Sequence, residues 1–489
     1  MGHNPNPIVY LALIAAAPLI WWGYKRMRPQ PATFWAIFGA SMFMPQWAFD
    51  PPLLPAMDKS SIPPLAAIIV CRTVCRGRLR AARPMRGIDI LLLIALFGVL
   101  GTVFTNGDAL HDGIVTRQPM EMYDAISTAI GFILTCYLPF LIGRAVFRTS
   151  ADAQDFLRCF VLAGLIYVPL LLIEVRFSPQ LHAWIYGFFP HSFAQTRRGG
   201  GFRPVVFMGH GLIVGRFMLG VVLAAVLVWR AKLKRPTPIA NGVVVVVLIV
   251  TMVLCKSLGS LLLGAIALPF IFWTKPQTQV RVAALIAIVT LTYPVLRLTG
   301  NFPVDDILDF SGRLSEDRAS SLEFRFVNED KLLERALERP MFGWGGYSRN
   351  RVLDEAGRDE TVTDGEWIIL FGIYGVIGFC GQFGLFVLPT LIAARNMKRI
   401  HSARDRSLVA GIALMNALFA ADLLPNSSGV FPHFFVAGIL HGVATGMVLE
   451  SVRKPAAAAA LARAPQGGGV AGEAAGGAVA SGASITRQG

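Results

Sequence analysis

Thirteen stretches of the chain carry almost nothing but apolar side chains: 7–24, 32–49, 61–75, 87–105, 124–147, 156–174, 207–229, 240–255, 257–273, 281–298, 366–394, 406–423 and 431–450. Most approach the ~20 residues a helix needs to cross a bilayer. Polar residues collect between them. The pattern predicts an all-α polytopic membrane protein over 1–454, with about 13 transmembrane helices and one long periplasmic loop containing an amphipathic helix. The stretch 61–75 is short. The pair 240–255 and 257–273, separated by Lys256 alone, forms either a tight hairpin or one bent unit.

The basic segments "YKRMR", "CRGRLRAARPMR", "RAKLKRP" and "ARNMKRIHSARDR" fall on one side if the spans alternate. Positively charged loops stay in the cytoplasm, so the N-terminus is expected in the periplasm and the C-terminus in the cytoplasm of a bacterial inner membrane. The far-side loops 50–60 and 106–123 carry only Lys59 and Arg117 as Lys or Arg. Residues 175–206 break the bias with Arg176, Arg197, Arg198 and Arg203. These arginines meet either an anionic ligand outside or lipid headgroups.

The longest polar segment, 299–365, also lies outside. Leu322, Phe326, Leu333 and Leu337 form an apolar stripe at helical spacing, Pro340 should end that helix, and "FGWGG" should turn. The tail 455–489 is rich in Ala and Gly and is expected to be disordered.

Composition agrees with the membrane reading. The chain is 54% hydrophobic and 15% charged, where a soluble protein has about 45–50% and about 25%. The net charge of +15 is spread over short connecting segments, which argues for helix orientation and against nucleic acid as a partner. The six cysteines lie in or beside apolar runs and read as small packing residues. The first run has no basic residues ahead of it, so it reads as a span and not a cleaved leader.

No metal or nucleotide motif is present, and no cofactor is expected. Candidate chemistry is confined to charged residues at the outer face. Arg203 and His210 lie at the outer end of the span starting near 207, and Arg216 lies about two turns below His210. Lys256 sits at an outer turn, Arg325 on the amphipathic helix, and Asp364 and Glu366 at the entrance to the span near 366. Plain alternatives exist for each. Thr363 and Glu366 fit a capping box, Asp364 is either a cap or a base, Lys256 snorkels, His210 packs, and Arg325 pairs with Glu329 one turn on.

The stretch "RFVNEDKLLERALERPMFGWGGYS", followed by Gly375-Val-Ile-Gly378, resembles the outer loop and following span of bacterial O-antigen ligases and O-antigen polymerases. "KSLGSLLLG" and "GGFRPVVFMGHGLIVGRFMLG" resemble two earlier segments of that family, and the likeness covers about 195–395. The resemblance implies transfer of a sugar chain from an undecaprenyl-diphosphate carrier to an acceptor hydroxyl at the periplasmic face, without metal. It also implies partners in the polyprenyl-diphosphate-linked glycan, membrane lipid, and export or assembly proteins. Asp364 occupies the place of the family's histidine base, which favours a polymerase over a ligase. Arg325 would act on the departing diphosphate, and Arg203, Lys256, Arg216 and His210 would bind it. A transporter of lipid-linked sugars and a non-catalytic assembly partner are the other readings.

Overall fold

The structure, a computed structural model, describes residues 5–51, 54–82, 84–198, 200–314, 316–427 and 432–463. Each of the thirteen apolar stretches contains helix. We number the helices α1 (Pro7–Arg26), α2 (29–43), α3 (Ile62–Val74), α4 (Gly87–Thr105), α5 (Met122–Val146), α6 (Ser150–Phe177), α7 (Gly211–Arg230), α8 (Asn241–Leu254), α9 (Leu258–Trp273), α10 (Pro276–Leu298), α11 (Val304–Leu314), α12 (Glu316–Leu337), α13 (Glu366–Arg399), α14 (Ala403–Asp422) and α15 (His433–Arg463). Eight of these, α1, α4, α5, α6, α7, α10, α13 and α15, are long and apolar enough to cross a bilayer. The protein is therefore an all-α protein of the multi-pass membrane type.

Local sequence explains several boundaries. Thr149 and Asp152 form a reciprocal capping box that starts α6 six residues before the apolar run. Proline at the first turn starts α1 and α10, where its missing N–H costs no hydrogen bond. α8 and α9 span only ~21 Å and ~24 Å at ~1.5 Å per residue. They meet at a turn where Lys256 has φ of 52°, and each rests on α7. α7 is buried along nearly its whole length and is the central post of the bundle.

Contacts between loops gather at two ends. At one end Arg78 pairs with Asp152 at 3.0 Å, Arg28 with Asp155 at 3.0 Å, and Arg158 donates to the Lys234 carbonyl at 3.0 Å. At the other, Lys59 donates to the Phe207 carbonyl at 2.7 Å, Arg349 to the Asp108 and Gln118 carbonyls at 2.9 Å, and Arg325 to the Pro425 carbonyl at 3.1 Å. The second end carries α11, α12 and two small hairpins, 110–117 and 197–202.

The amphipathic helix is present as α12, with one change in its stripe. Leu333 is buried and Leu322 and Phe326 are half-buried, but Leu337 is 43% exposed and Leu332 takes the buried place. The expected disordered tail begins as helix, since α15 continues to Arg463; residues 464–489 lie outside the described ones.

The segment after α12 does more than turn. α13 is broken at Gly375, with φ 64° and ψ −167°, about 14 Å along the axis from Glu366 at ~1.5 Å per residue. Residues 340–345 fill the break by backbone pairing. Trp344 N–H donates to the Gly372 carbonyl at 2.8 Å and Gly345 N–H to Ile373 at 2.9 Å, while Val376 N–H donates to Pro340 at 2.8 Å. From the other side, Thr102 of α4 donates to the Phe342 carbonyl at 2.6 Å and Asn106 to Gly343 at 2.9 Å. A Cβ on Gly375 would overlap the Met341 carbonyl carbon, and its φ disfavours any other residue. Gly375→Ala should therefore destabilise by about 2 kcal/mol or more, read as a lower melting temperature in detergent. Gly107→Ala, where the added carbon meets nothing within 4 Å, should leave it unchanged.

Candidate functional site

α12 lies across the loop-bearing end of the bundle and presents Arg325 and Glu329, one turn apart, to the ends of α10, α13 and α14. Between them is a cavity of about 220 Å³. Its walls are largely apolar, from Tyr293, Phe302, Phe326, Leu332, Ile368 and Leu424, and three charged residues enter it: Arg325, Glu329 and Asp364. An apolar cleft with a few convergent polar groups is the usual form of a ligand site.

Arg325 Nε lies 3.4 Å from Asp364 Oδ2, with the two side chains 36% and 40% exposed. At that exposure the pair adds less than about 1 kcal/mol to stability. Arg325 thus reaches across to the entrance of α13 and not along its own helix to Glu329, as one alternative had it. Both groups remain open to the cavity.

Glu329 is the residue that sequence reasoning undervalued. It accepts hydrogen bonds from Trp367 Nε1 and, at 3.1 Å, from the Tyr293 hydroxyl, and sits 3.2 Å from Arg297 Nε. Burial pushes its carboxyl up to about 7, against the opposing pull of Arg297, Trp367 and Tyr293. Arg297 was not singled out from the sequence either. Its signal was a cation at the loop end of an apolar span, against the orienting bias.

The other expected ligands are placed differently. Arg203 is buried, donates to Ser257 Oγ at 3.1 Å, and lies over Gly211, whose missing side chain makes room for it. Burial lowers it to about 10, with Arg198 and Arg325 near enough to add repulsion. It borders the Arg325 site from behind without lining the cavity. Arg216 is fully buried in an ion pair with Asp422 at 2.6 Å, and Asn426 holds the second Asp422 oxygen at 3.0 Å. Lys256 Nζ donates to the Arg198 carbonyl at 2.9 Å and so fastens the 197–202 hairpin. His210 is the N-cap of α7, its Nδ1 accepting from Leu212 N–H at 3.1 Å. Burial first, and then neighbouring His191 and Arg203, push it down to about 4, which leaves it uncharged at neutral pH.

The capping box expected of Thr363 and Glu366 does not form. Gly365 is the N-cap and receives no side-chain bond, while Glu366 N–H donates to the Leu423 carbonyl at 3.0 Å. The Glu366 side chain lines a second cavity on the far side of α13 from Asp364. Among the described residues no three His, Cys, Asp or Glu side chains gather as a metal site.

Comparison of the chain with protein-family models and with curated proteins finds no match.

Two outcomes follow. Removing one partner of the Arg216–Asp422 pair strands the other in the bundle, so Asp422→Ala should cost about 3–5 kcal/mol, visible as a fall in detergent melting temperature. Glu329 is held above its ordinary value in the docked state, so docking favours its protonated form. The resulting stabilisation is complete below about pH 4.5 and is lost as pH rises through about 7. Limited proteolysis within 299–339 should therefore be faster at high pH than at low pH in the wild-type protein, and Glu329→Gln should flatten the dependence.

Proposed function

We propose that the protein is a glycosyl-chain polymerase or ligase of the O-antigen ligase and polymerase type. In this reading it has thirteen spans in a bacterial inner membrane, with the N-terminus and α12 in the periplasm and the C-terminus in the cytoplasm. The observation that carries the proposal is the meeting of Arg325, Asp364 and Glu329 in one cavity at the loop-bearing end, with Arg203 behind it.

The chemistry follows from the groups. An acceptor hydroxyl oxygen attacks the anomeric carbon of a polyprenyl-diphosphate-linked sugar. The new C–O bond forms as the bond to the diphosphate breaks, and that electron pair leaves with the diphosphate. The guanidinium of Arg325 offers paired N–H donors to the departing phosphate oxygens, stabilising charge that grows in the transition state. Asp364, 3.4 Å away and open to the cavity, takes the hydroxyl proton. Glu329 positions α12 through its bonds to α10 and α13. Arg203 supplies further positive potential. Arg216, Lys256 and His210 are each already engaged, by Asp422, a carbonyl and a helix start, and this reading gives them no direct contact with the donor.

One feature weighs against a transporter. Transporters commonly bind substrate at the loose ends of broken helices near the membrane midplane. The ends created at Gly375 are bonded to residues 340–345, so they offer a ligand little.

Purified protein given lipid-linked repeat units should lengthen them. Asp364→Asn and Arg325→Ala should each reduce product by about 10²-fold or more, with unchanged membrane content. Glu329→Gln should retain measurable turnover. Full activity in Asp364→Asn alongside loss in Glu329→Gln would move the proton acceptor to Glu329. Full activity in Arg325→Ala would remove the transferase reading.

A further inference from the structure

A second site lies on the opposite face of α13. The cavity that Glu366 lines has a volume of about 230 Å³ and is bounded by Lys59, Ser60, Thr135, Gln382 and His433. It adjoins another of about 380 Å³ between α4, α5 and α13, with Thr135, Cys136 and Gln382 common to both. The second is mainly apolar, walled by Val99, Phe132, Leu370, Ile373 and Tyr374. A polar chamber inside the bundle thus leads into an apolar groove between helices that face lipid.

Backbone irregularity converges on this pair of cavities. α2 carries a π-helical turn at Trp35–Gly39 and α5 another at Ile133–Tyr137, and the α13 break lies at Gly375. Ile37 from the first turn and Thr135 and Cys136 from the second line the polar chamber, while Tyr374 and Gly378 flank the break on the groove wall. Such departures inside membrane helices are tolerated where they are buried in protein or line a cavity, and π turns cluster at functional sites.

The charge in the chamber limits what its head region accepts. Lys59 is buried and already donates to the Phe207 carbonyl at 2.7 Å, and Glu366 faces the same space. A lysine whose charged form burial disfavours and whose Nζ is already engaged, lining the same space as a carboxylate, suits no strongly anionic group. Hydroxyl, amide and imidazole side chains around them offer mixed donors and acceptors, which suits a polyol. The geometry points to a binding site for a single-chain lipid with an uncharged, hydroxyl-bearing headgroup: the head in the chamber beside Lys59 and Glu366, the tail leaving between α4, α5 and α13. The chamber is separated from the Arg325 cavity by the first turn of α13, so the site is distinct from the transfer chemistry proposed above.

The test uses the full chain in vesicles of phosphatidylethanolamine and phosphatidylglycerol. An alkyl glucoside with a diazirine in its chain is photo-crosslinked and the labelled peptides are mapped. Label should concentrate on the groove walls of α4, α5 and α13 and fall on competition with unlabelled alkyl glucoside. Val99→Trp, which fills the groove, should abolish it, and Thr135→Val should weaken it about fivefold through a lost hydrogen bond. Asp364→Asn should keep the label, so that failure of the catalytic reading and failure of this site are distinguishable. Label spread evenly over the lipid-facing helices would overturn the inference. So would label in the unmodified protein that resists competition, or equal groove labelling by a diazirine phosphatidylglycerol, which would reveal an ordinary lipid chain.

Discussion

Backbone amides that leave a helix at membrane depth find no water, so something in the protein must bond them. The pairing between residues 340–345 and the break at Gly375 meets that constraint, and the loop-bearing end of the molecule is built around it. α12 ends at Leu337, three residues before the paired segment, and Asp364 lies eleven residues before the break. Fixing the pairing fixes how far α12 can slide over the bundle. It also fixes the start of α13, which Asp364 precedes by two residues, and hence the approach of Arg325 to Asp364 across a narrow cavity. Glycine is needed at the two closest approaches. A side chain at Gly375 would strike Met341, and one at Gly343 would approach the Ile373 carbonyl carbon to 2.5 Å.

Charge at this end divides into two populations. One is buried and paired for the fold: Arg216 with Asp422, and Glu329 with Arg297, Tyr293 and Trp367. Such pairs repay little net energy for their desolvation but make a misplaced helix costly. The other is half-open and includes Arg325 with Asp364 and Lys331 with Glu360. Asp364, just ahead of the N-cap of α13, and Glu366, its first residue, stand two residues apart yet face different cavities. The first turn of that helix is therefore a partition between two chambers.

The apolar stretches were legible because membrane helices announce themselves by composition. Arg325 and Asp364 were found as charges at one face, and the fold brings them together. The pairing of Arg216 was not legible, because its partner, Asp422, is 206 residues away and sits at the end of another apolar run. The bonds of His210 to the Leu212 N–H and of Lys256 to the Arg198 carbonyl are to backbone groups, which no sequence pattern displays. Glu329 was seen only as a one-turn neighbour of Arg325, since nothing in the local sequence says that Trp367 and Tyr293 will enclose it. The break in α13 was concealed by its own glycines: Gly375 and Gly378 read equally well as a close contact between helices, and Gly378 does make one, against Gly98 of α4.

Stitching residues 340–345 into the bundle also changes the polymer physics of the segment between α10 and α13. It is not a single long tether but two shorter ones pinned at a common midpoint, the first carrying α11 and α12 and the second the 352–360 turn. Each lobe explores a far smaller volume than an unpinned chain of the combined length. Lengthening the second lobe would leave the reach of the first unaltered, so the two can diverge in size and sequence independently while the cavity beneath keeps its shape.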